Sequence, residues 1–458
     1  MPKGATQVRS EQVETVAGII HRCKRSGKWK NGLKNLLEDQ TLTDAQKRAV
    51  KHWKIETERA QKIPTRFVEK LAALTAEAQE VWQKARMNDK FSLFAPYLEK
   101  IVAMQRKKSD YLKWKNHPYD PLLDLYEPDM TTEQVKALFT QLKSELVPLV
   151  KKIEPTDNSF LSSPCPEDKQ MEFAKWLLAA INFNFTHGRL DLSTHPFSSA
   201  SHPHDSRITT RIRPDMLLSH IRSVLHEAGH SFYETGLNPE FFGTPLGQAL
   251  SLGMHESQSR LWETQIGLSK PFWQFAYTKL REFFPHFEKI PLETFLKGIN
   301  HVQSSLIRVE ADEVTYGLHV ILRFEIELEL IEGKLKIKDL PEAWKAKMKD
   351  LLGIVPKNDR EGCLQDVHWS AGLFGYFPTY ALGSMWAAQL FAAFKKQTPS
   401  WESEIISGNF TSLHKWLSQN VWRHGRRYTS DELLTQATGT CATHGPFVSY
   451  LTDKYITQ

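Results

Sequence analysis

The stretch Ser223-Val224-Leu225-His226-Glu227-Ala228-Gly229-His230-Ser231-Phe232 sets two histidines four residues apart in an apolar-patterned segment. On an α-helix that interval stacks both imidazoles on one face, where they reach one metal ion at about 2.0–2.1 Å. Glu227, beside the first histidine, is then placed to hold a water and take its proton. Val224, Leu225 and Phe232 supply the apolar contacts of a buried helix. The stretch thus offers a candidate metal-binding helix, a pattern that alone is suggestive and no more.

A structural zinc site is closed by four protein ligands, whereas a hydrolytic one has three and keeps a position for water. The third donor is expected in Leu252-Gly253-Met254-His255-Glu256-Ser257-Gln258, beyond the turn-rich Asn238 to Pro245 that a helix-loop-helix hairpin needs. Glu256 and His255 compete for the role. Adjacent side chains on a helix diverge by about 100°, so only one faces the ion, and two histidines with one carboxylate form a common hydrolytic set. Glu256 is therefore preferred, against the alternative that it is a surface carboxylate with no ligand role.

Upstream, Phe67, Leu71, Leu74, Ala78 and Val81 recur at three- and four-residue steps within a helical region from about Leu33 to Leu112. The break Asn116 to Pro121 precedes a helix starting near Thr131-Thr132-Glu133, capped by Asp129 or Thr131. Thr194 to Pro214, rich in His, Ser and Pro, leaves the helical pattern, and a small irregular or β element is expected near 185–213. Downstream the spacing predicts helices over Asp215–Thr235, Pro245–Ile266, Leu292–Ile331 and Ser384–Lys396, with Gly333 and Gly383 as breaks. The expected fold class is mostly α, in one domain over 1–458.

The 458 residues are 41% hydrophobic and 24% charged, which excludes wholesale disorder and a fibrous repeat. Lys and Arg number 59 against 53 Asp and Glu, and this net charge of +6 is spread along the chain, so no nucleic-acid partner is implied. Cys23, Cys165, Cys363 and Cys441 lie far apart with no C-x-x-C pair, which argues against a disulfide framework and for a reducing, cytoplasmic setting. The apolar run at Val16 to Ile20 is too short for a signal peptide. The most apolar long window, Tyr380 to Phe394, falls short of the roughly 20 residues that cross a bilayer, so it reads as a buried helix and no membrane partner is expected.

Five motifs in order carry a resemblance along essentially the whole chain: Asp205-Ser206-Arg207-Ile208-Thr209, His226 to His230, His255-Glu256-Ser257-Gln258, Ile307-Arg308-Val309-Glu310-Ala311-Asp312, and Gly362-Cys363-Leu364-Gln365-Asp366-Val367-His368-Trp369. With weaker matches such as Gly375-Tyr376-Phe377-Pro378-Thr379-Tyr380 and His424-Gly425-Arg426, the chain resembles the carboxypeptidase Taq family of zinc carboxypeptidases. The resemblance implies a metal-dependent exopeptidase that releases C-terminal residues with broad specificity. It also implies a large, neurolysin-like helical peptidase fold with a deep active-site groove, and a homodimer. It assigns His226, His230 and Glu256 as metal ligands and Glu227 as general base. The family usually opens with a helical segment ahead of a Met-Pro pair, and Met1-Pro2 resembles that pair with the first N-terminal segment lacking.

A carboxypeptidase must tell a free C-terminus from an internal peptide bond, and the planar arginine fork suits a terminal carboxylate. Arg308 is the first candidate, followed by Arg426 and Arg207; the alternative for Arg308 is an i,i+4 ion pair with Asp312 on one helix face. Asp312 is expected to accept the outer ring proton of a ligand histidine. Asp205, Arg207 and Thr209 are expected to form a supporting polar network. His368 and Tyr380 are candidate oxyanion donors, against plain packing roles. The cofactor expected is one divalent ion, Zn2+ first, with Co2+ or Mn2+ acceptable to the same donors. The partners expected are peptides with a free C-terminus. An endo-acting oligopeptidase, or a metal- or peptide-binding module that has lost catalysis, is the rival.

Overall fold

Hydrophobic spacing sets the order of elements in the computed structural model, which describes residues 5–457. Met1-Pro2 lies outside the described residues. The principal elements in chain order are α1 (Thr6–Arg25), α2 (Asp44–Lys62), α3 (Thr65–Met87), α4 (Phe91–Leu112), α5 (Thr132–Lys152), β1 (Gly188–Leu192), β2 (Phe197–His202), β3 (Asp205–Thr210), α6 (Leu217–Gly236), α7 (Leu252–Arg260), α8 (Tyr316–Glu332), α9 (Pro378–Gln397) and α10 (Gly445–Tyr455). By backbone contacts the chain falls into two units. The first comprises Met1–Phe139, Ser304–Val309 and Leu318–Pro378; the second comprises Thr140–Gln303, Glu310–Gly317 and Thr379–Gln458.

In the first unit, α3 buries Phe67, Ala78, Trp82 and Ala85, so the stripe expected at residues 67–81 runs on through Trp82. Ile63, Phe67 and Leu112 form a small core with Val68, Leu71, Met104 and Tyr111 packed against it. A polar centre sits elsewhere in the unit. Glu327 on α8 accepts hydrogen bonds from Tyr119 Oη at 2.6 Å, Trp369 Nε1 at 2.8 Å and the Gly375 amide at 3.0 Å. Burial outweighs these donors and pushes the Glu327 carboxyl up to about 7.

In the second unit the expected β element is a three-stranded sheet of order β1-β3-β2, with β1 parallel and β2 antiparallel to β3. In strand β3 Ser206, Ile208, Thr209 and Thr210 are buried and Arg207 faces solvent. The inward face is fastened to α6, through Ser206 Oγ to Ser231 Oγ at 2.7 Å and Thr210 Oγ1 to His220 Nδ1 at 3.0 Å. Helix α6 buries Leu217, Ile221, Val224, Leu225, Ala228 and Phe232.

Three predicted boundaries are corrected. Leu292–Ile331 is not one helix: a helix over Leu292–Ile299 stops, residues 300–315 are irregular apart from a 3-10 turn at Arg308–Glu310, and α8 begins at Tyr316. The cause is Asp312, whose carboxylate accepts the amides of Gln303, Val314 and Thr315 at 2.9–3.2 Å and the Thr315 hydroxyl at 2.8 Å, taking donors a continuous helix would have used. Pro245–Ile266 likewise divides, with α7 starting where Ser251 Oγ accepts the Met254 amide and passing into a π-helical turn at Leu261–Ile266. Gly383 is no break; it lies inside α9. Gly333, with φ +82°, does follow the end of α8 as expected.

Candidate metal centre

Helix α6 repeats a polar residue every four positions, Arg222, His226, His230 and Glu234, and four-residue steps fall on one face. Helix α7 and its π-helical continuation supply the opposing row of His255, Glu256, Arg260 and Glu263. The two segments approach closely because Gly229 has no side chain: a Cβ there would stand 2.5 Å from the Gln258 carbonyl oxygen. The predicted ligands meet in the middle. Glu256 Oε2 lies 3.7 Å from His226 Nε2 and 3.5 Å from His230 Nε2.

These separations fit a divalent cation. One donor atom from each of His226, His230 and Glu256 lies within 4.8 Å of the others. Bonds of about 2.0–2.1 Å in tetrahedral geometry place ligand atoms roughly 3.4 Å apart. Glu256 Oε1 is buried and has no hydrogen-bond partner among the described residues, a costly state for a carboxylate oxygen unless a cation meets it. Both imidazoles are fastened through their other nitrogen, His226 Nδ1 to Glu263 Oε2 at 3.0 Å and His230 Nδ1 to His255 Nδ1 at 2.5 Å, so each turns Nε2 toward Glu256.

The charges agree. Burial pulls His226 down, but Glu256 and Glu263 outweigh it and lift the imidazole to about 9, the response of a group standing in surplus negative potential. Burial, joined by His255 and His226, holds His230 well below the ordinary histidine range. Burial would raise Glu263, yet the Arg260 and Arg222 guanidiniums overcome it and hold that carboxyl well below the usual carboxylate range. Arg260 Nη1 donates to Glu263 Oε2 at 2.6 Å, and Arg222 Nη2 lies 2.8 Å from Glu263 Oε1. Glu227 is 6% exposed, and burial pushes its carboxyl up to about 7. A carboxyl at that value both takes and returns a proton near neutrality.

Other expectations are placed differently. The carboxylate behind His226 is Glu263, not Asp312, whose oxygens are spent on the turn before α8. Arg308 does not pair with Asp312 on a helix face; in the first unit its Nε and Nη2 donate to Asp366 Oδ1 at 3.0 and 2.9 Å, and Arg323 Nε donates to Asp366 Oδ2 at 2.6 Å. His368, in the same unit, packs its ring 4.5 Å from that of Phe377. In the second unit Asp205 and Arg207 form a bidentate pair on the outer face of the sheet, while Thr209 bonds to Ser193, so the three do not make one network. Arg426 Nη1 donates to Gln248 Oε1 at 3.0 Å. Tyr380 stands edge-on to Tyr316 at 6.3 Å, and Tyr316 lies under the Arg260 guanidinium at 4.7 Å.

Arg222, Glu234, Arg260 and Glu263 were not read from sequence as parts of the site. Arg222 and Glu234 carry a usable signal, since Arg222 stands four residues before His226 and Glu234 four after His230. Among the described residues no helix is long and apolar enough to cross a membrane.

The chain is 40% identical to thermostable carboxypeptidase 1 of Thermus thermophilus, across 99% of this chain and 92% of that protein. It is 37% identical to carboxypeptidase 1 of Bacillus subtilis over the same shares. The crystal structure of an M32 carboxypeptidase from Deinococcus radiodurans superposes with a TM-score of 0.95 at 37% identity, covering 99% of this chain and 93% of that one. The model of the carboxypeptidase Taq (M32) metallopeptidase family matches residues 1–455, and the chain belongs to that family as a metal-dependent carboxypeptidase.

Proposed function

We propose that the enzyme removes C-terminal residues one at a time from peptides, with broad specificity, at a single ion held by His226, His230 and Glu256. The observation that carries the ligand set is the buried Glu256 carboxylate, with one oxygen lacking any hydrogen bond among the described residues, beside two Nε2 atoms. Zn2+ is the preferred ion, because two imidazoles and one carboxylate with an open position form a usual hydrolytic zinc set; Co2+ and Mn2+ suit the same donors. When bound, the ion supplies Lewis acidity for polarising the scissile carbonyl and activating water.

The chain's own residues supply the remaining chemistry. Glu227 takes the proton of the attacking water on its carboxylate and returns it to the leaving amine. Arg308 receives the terminal carboxylate, its guanidinium plane fixed by Asp366, with Arg426 and Arg207 as further candidates. Tyr380 and His368 donate to the developing oxyanion. The enzyme works as a cytoplasmic homodimer. Support for the compartment comes from four cysteines that are all free thiols, and for association from Val16, Ile19 and Ile20 of α1, each at least half exposed.

Digestion of matched peptides with free and amidated C-termini, followed by mass spectrometry, tests the exopeptidase reading. Stepwise loss from the free end only is expected; internal cuts in the amidated peptide would make it an endo-acting oligopeptidase. Glu227→Gln is expected to lower kcat by about 10²–10⁴ while the ion stays bound, and wild-type turnover in that variant would remove Glu227 from the reaction.

A further inference from the structure

We propose that His255 and Glu234 form a relay that fixes the tautomer of His230, making both of them positioning residues for the metal centre. The proposal rests on His226, His230 and Glu256 being the ligands. A histidine that ligates through Nε2 must carry its proton on Nδ1, and a fixed acceptor normally receives it. For His226 that acceptor is the Glu263 carboxylate. Among the described residues His230 Nδ1 meets no carboxylate; it lies 2.5 Å from another imidazole nitrogen, His255 Nδ1.

Two imidazole nitrogens that close share one hydrogen, so one ring must donate and the other must offer a lone pair. The far end of His255 decides which. His255 Nε2 is 2.8 Å from Glu234 Oε1, and an ionised carboxylate only accepts. His255 therefore carries its proton on Nε2 and accepts at Nδ1 from His230 Nδ1–H. His230 Nε2 keeps its lone pair on the side of Glu256, 3.5 Å from Oε2. The opposite polarity, with the proton on His255 Nδ1, would place His230's proton on Nε2 and close that nitrogen to a cation. Glu234 thus sets the ligand's tautomer from two side chains away. It follows His230 by four residues on α6, and His255 directly precedes Glu256 on α7, so both members ride on the ligand-bearing helices. The ring of His255 is also held against that of Tyr233, with centroids 5.4 Å apart.

The test is Zn2+ affinity of the full chain, measured by competition with a chelator, together with the visible absorption of the Co2+-substituted protein. Glu234→Leu removes the acceptor and is expected to weaken Zn2+ binding roughly tenfold to a hundredfold and to alter the Co2+ spectrum, with the melting temperature of the metal-free protein unchanged. Glu234→Gln keeps an acceptor oxygen and recovers most of the affinity. His255→Phe fills the ring's space, accepts nothing and falls with Glu234→Leu. Since both changes break one relay, the double variant is expected to bind no more weakly than His255→Phe alone. Wild-type affinity in Glu234→Leu, additive losses in the double variant, or a matching fall in metal-free melting temperature overturns the relay. His230→Ala serves as the reference. Tight Zn2+ binding in that variant means that the ligand set itself is wrong, an outcome distinct from a failed relay on a sound ligand set.

Discussion

Gly383 on α9 lies directly against Glu256: a Cβ at that position would stand 2.5 Å from Glu256 Cγ and 3.0 Å from its backbone carbon. The backbone contact cannot swing aside, so the added methyl must move α9 or the carboxylate. Gly383→Ala is therefore expected to cost about 1–3 kcal/mol of stability and to weaken metal binding, because the displaced group is a proposed ligand. Melting curves with and without Zn2+ check this. The gap between them should shrink in the variant, and an unchanged gap would mean that Gly383 serves only packing.

Glu263 is the anion behind His226 and the partner of two arginines, Arg222 and Arg260, so its replacement has two separable consequences. Glu263→Gln leaves buried Arg260, 4% exposed, without its hydrogen-bonded anion, only Glu256 and Glu313 still acting on it through space, a loss expected to cost about 3–5 kcal/mol in the metal-free protein. It also weakens the acceptor for His226 Nδ1–H, for which roughly a tenfold to hundredfold loss of metal affinity is expected. Chemical denaturation of the metal-free protein reads the first effect and chelator competition reads the second. A variant of full stability with full affinity would show that the contact does nothing for the site.

Local features of the site were legible in the sequence, and long-range ones were not. His226, His230 and the buried side of α6 follow from spacing within one helix, and Glu256 follows from a hairpin whose loop is marked by turn residues. Glu263 sits seven residues past Glu256 in a π-helical turn, and no propensity forecasts that turn. Asp312 looked like a helical residue because its neighbours are apolar at helical steps; its actual work, capping the turn before α8, uses Gln303 nine residues back. Gly383 read as a helix breaker because glycine usually is one, whereas here its missing Cβ answers a tertiary contact with Glu256. For Arg308 the local alternative to a substrate-binding role is an i,i+4 pair with Asp312, while the fold gives it Asp366, 58 positions away. The functional class came from five motifs in order, which together hold more information than any one spacing.

His220 gives α6 a pH dependence that is independent of the proposed ligands. It is 1% exposed, its Nδ1 stands 3.0 Å from Thr210 Oγ1, and its Nε2 stands 3.3 Å from the Gln170 carbonyl oxygen. Burial drives its pKa down to about 4, against about 6.5 for an unfolded histidine. Between those values the unfolded chain binds a proton that the folded chain refuses, so this contribution is complete above pH 6.5 and is lost as pH falls toward 4. The full span is worth about 3 kcal/mol. Gln at this position keeps one donor and one acceptor but does not titrate. Urea midpoints of wild type and His220→Gln, followed from pH 7 to pH 4, should therefore diverge, with the wild type losing stability faster. Parallel curves would mean that His220 does not titrate differently in the folded and unfolded chains.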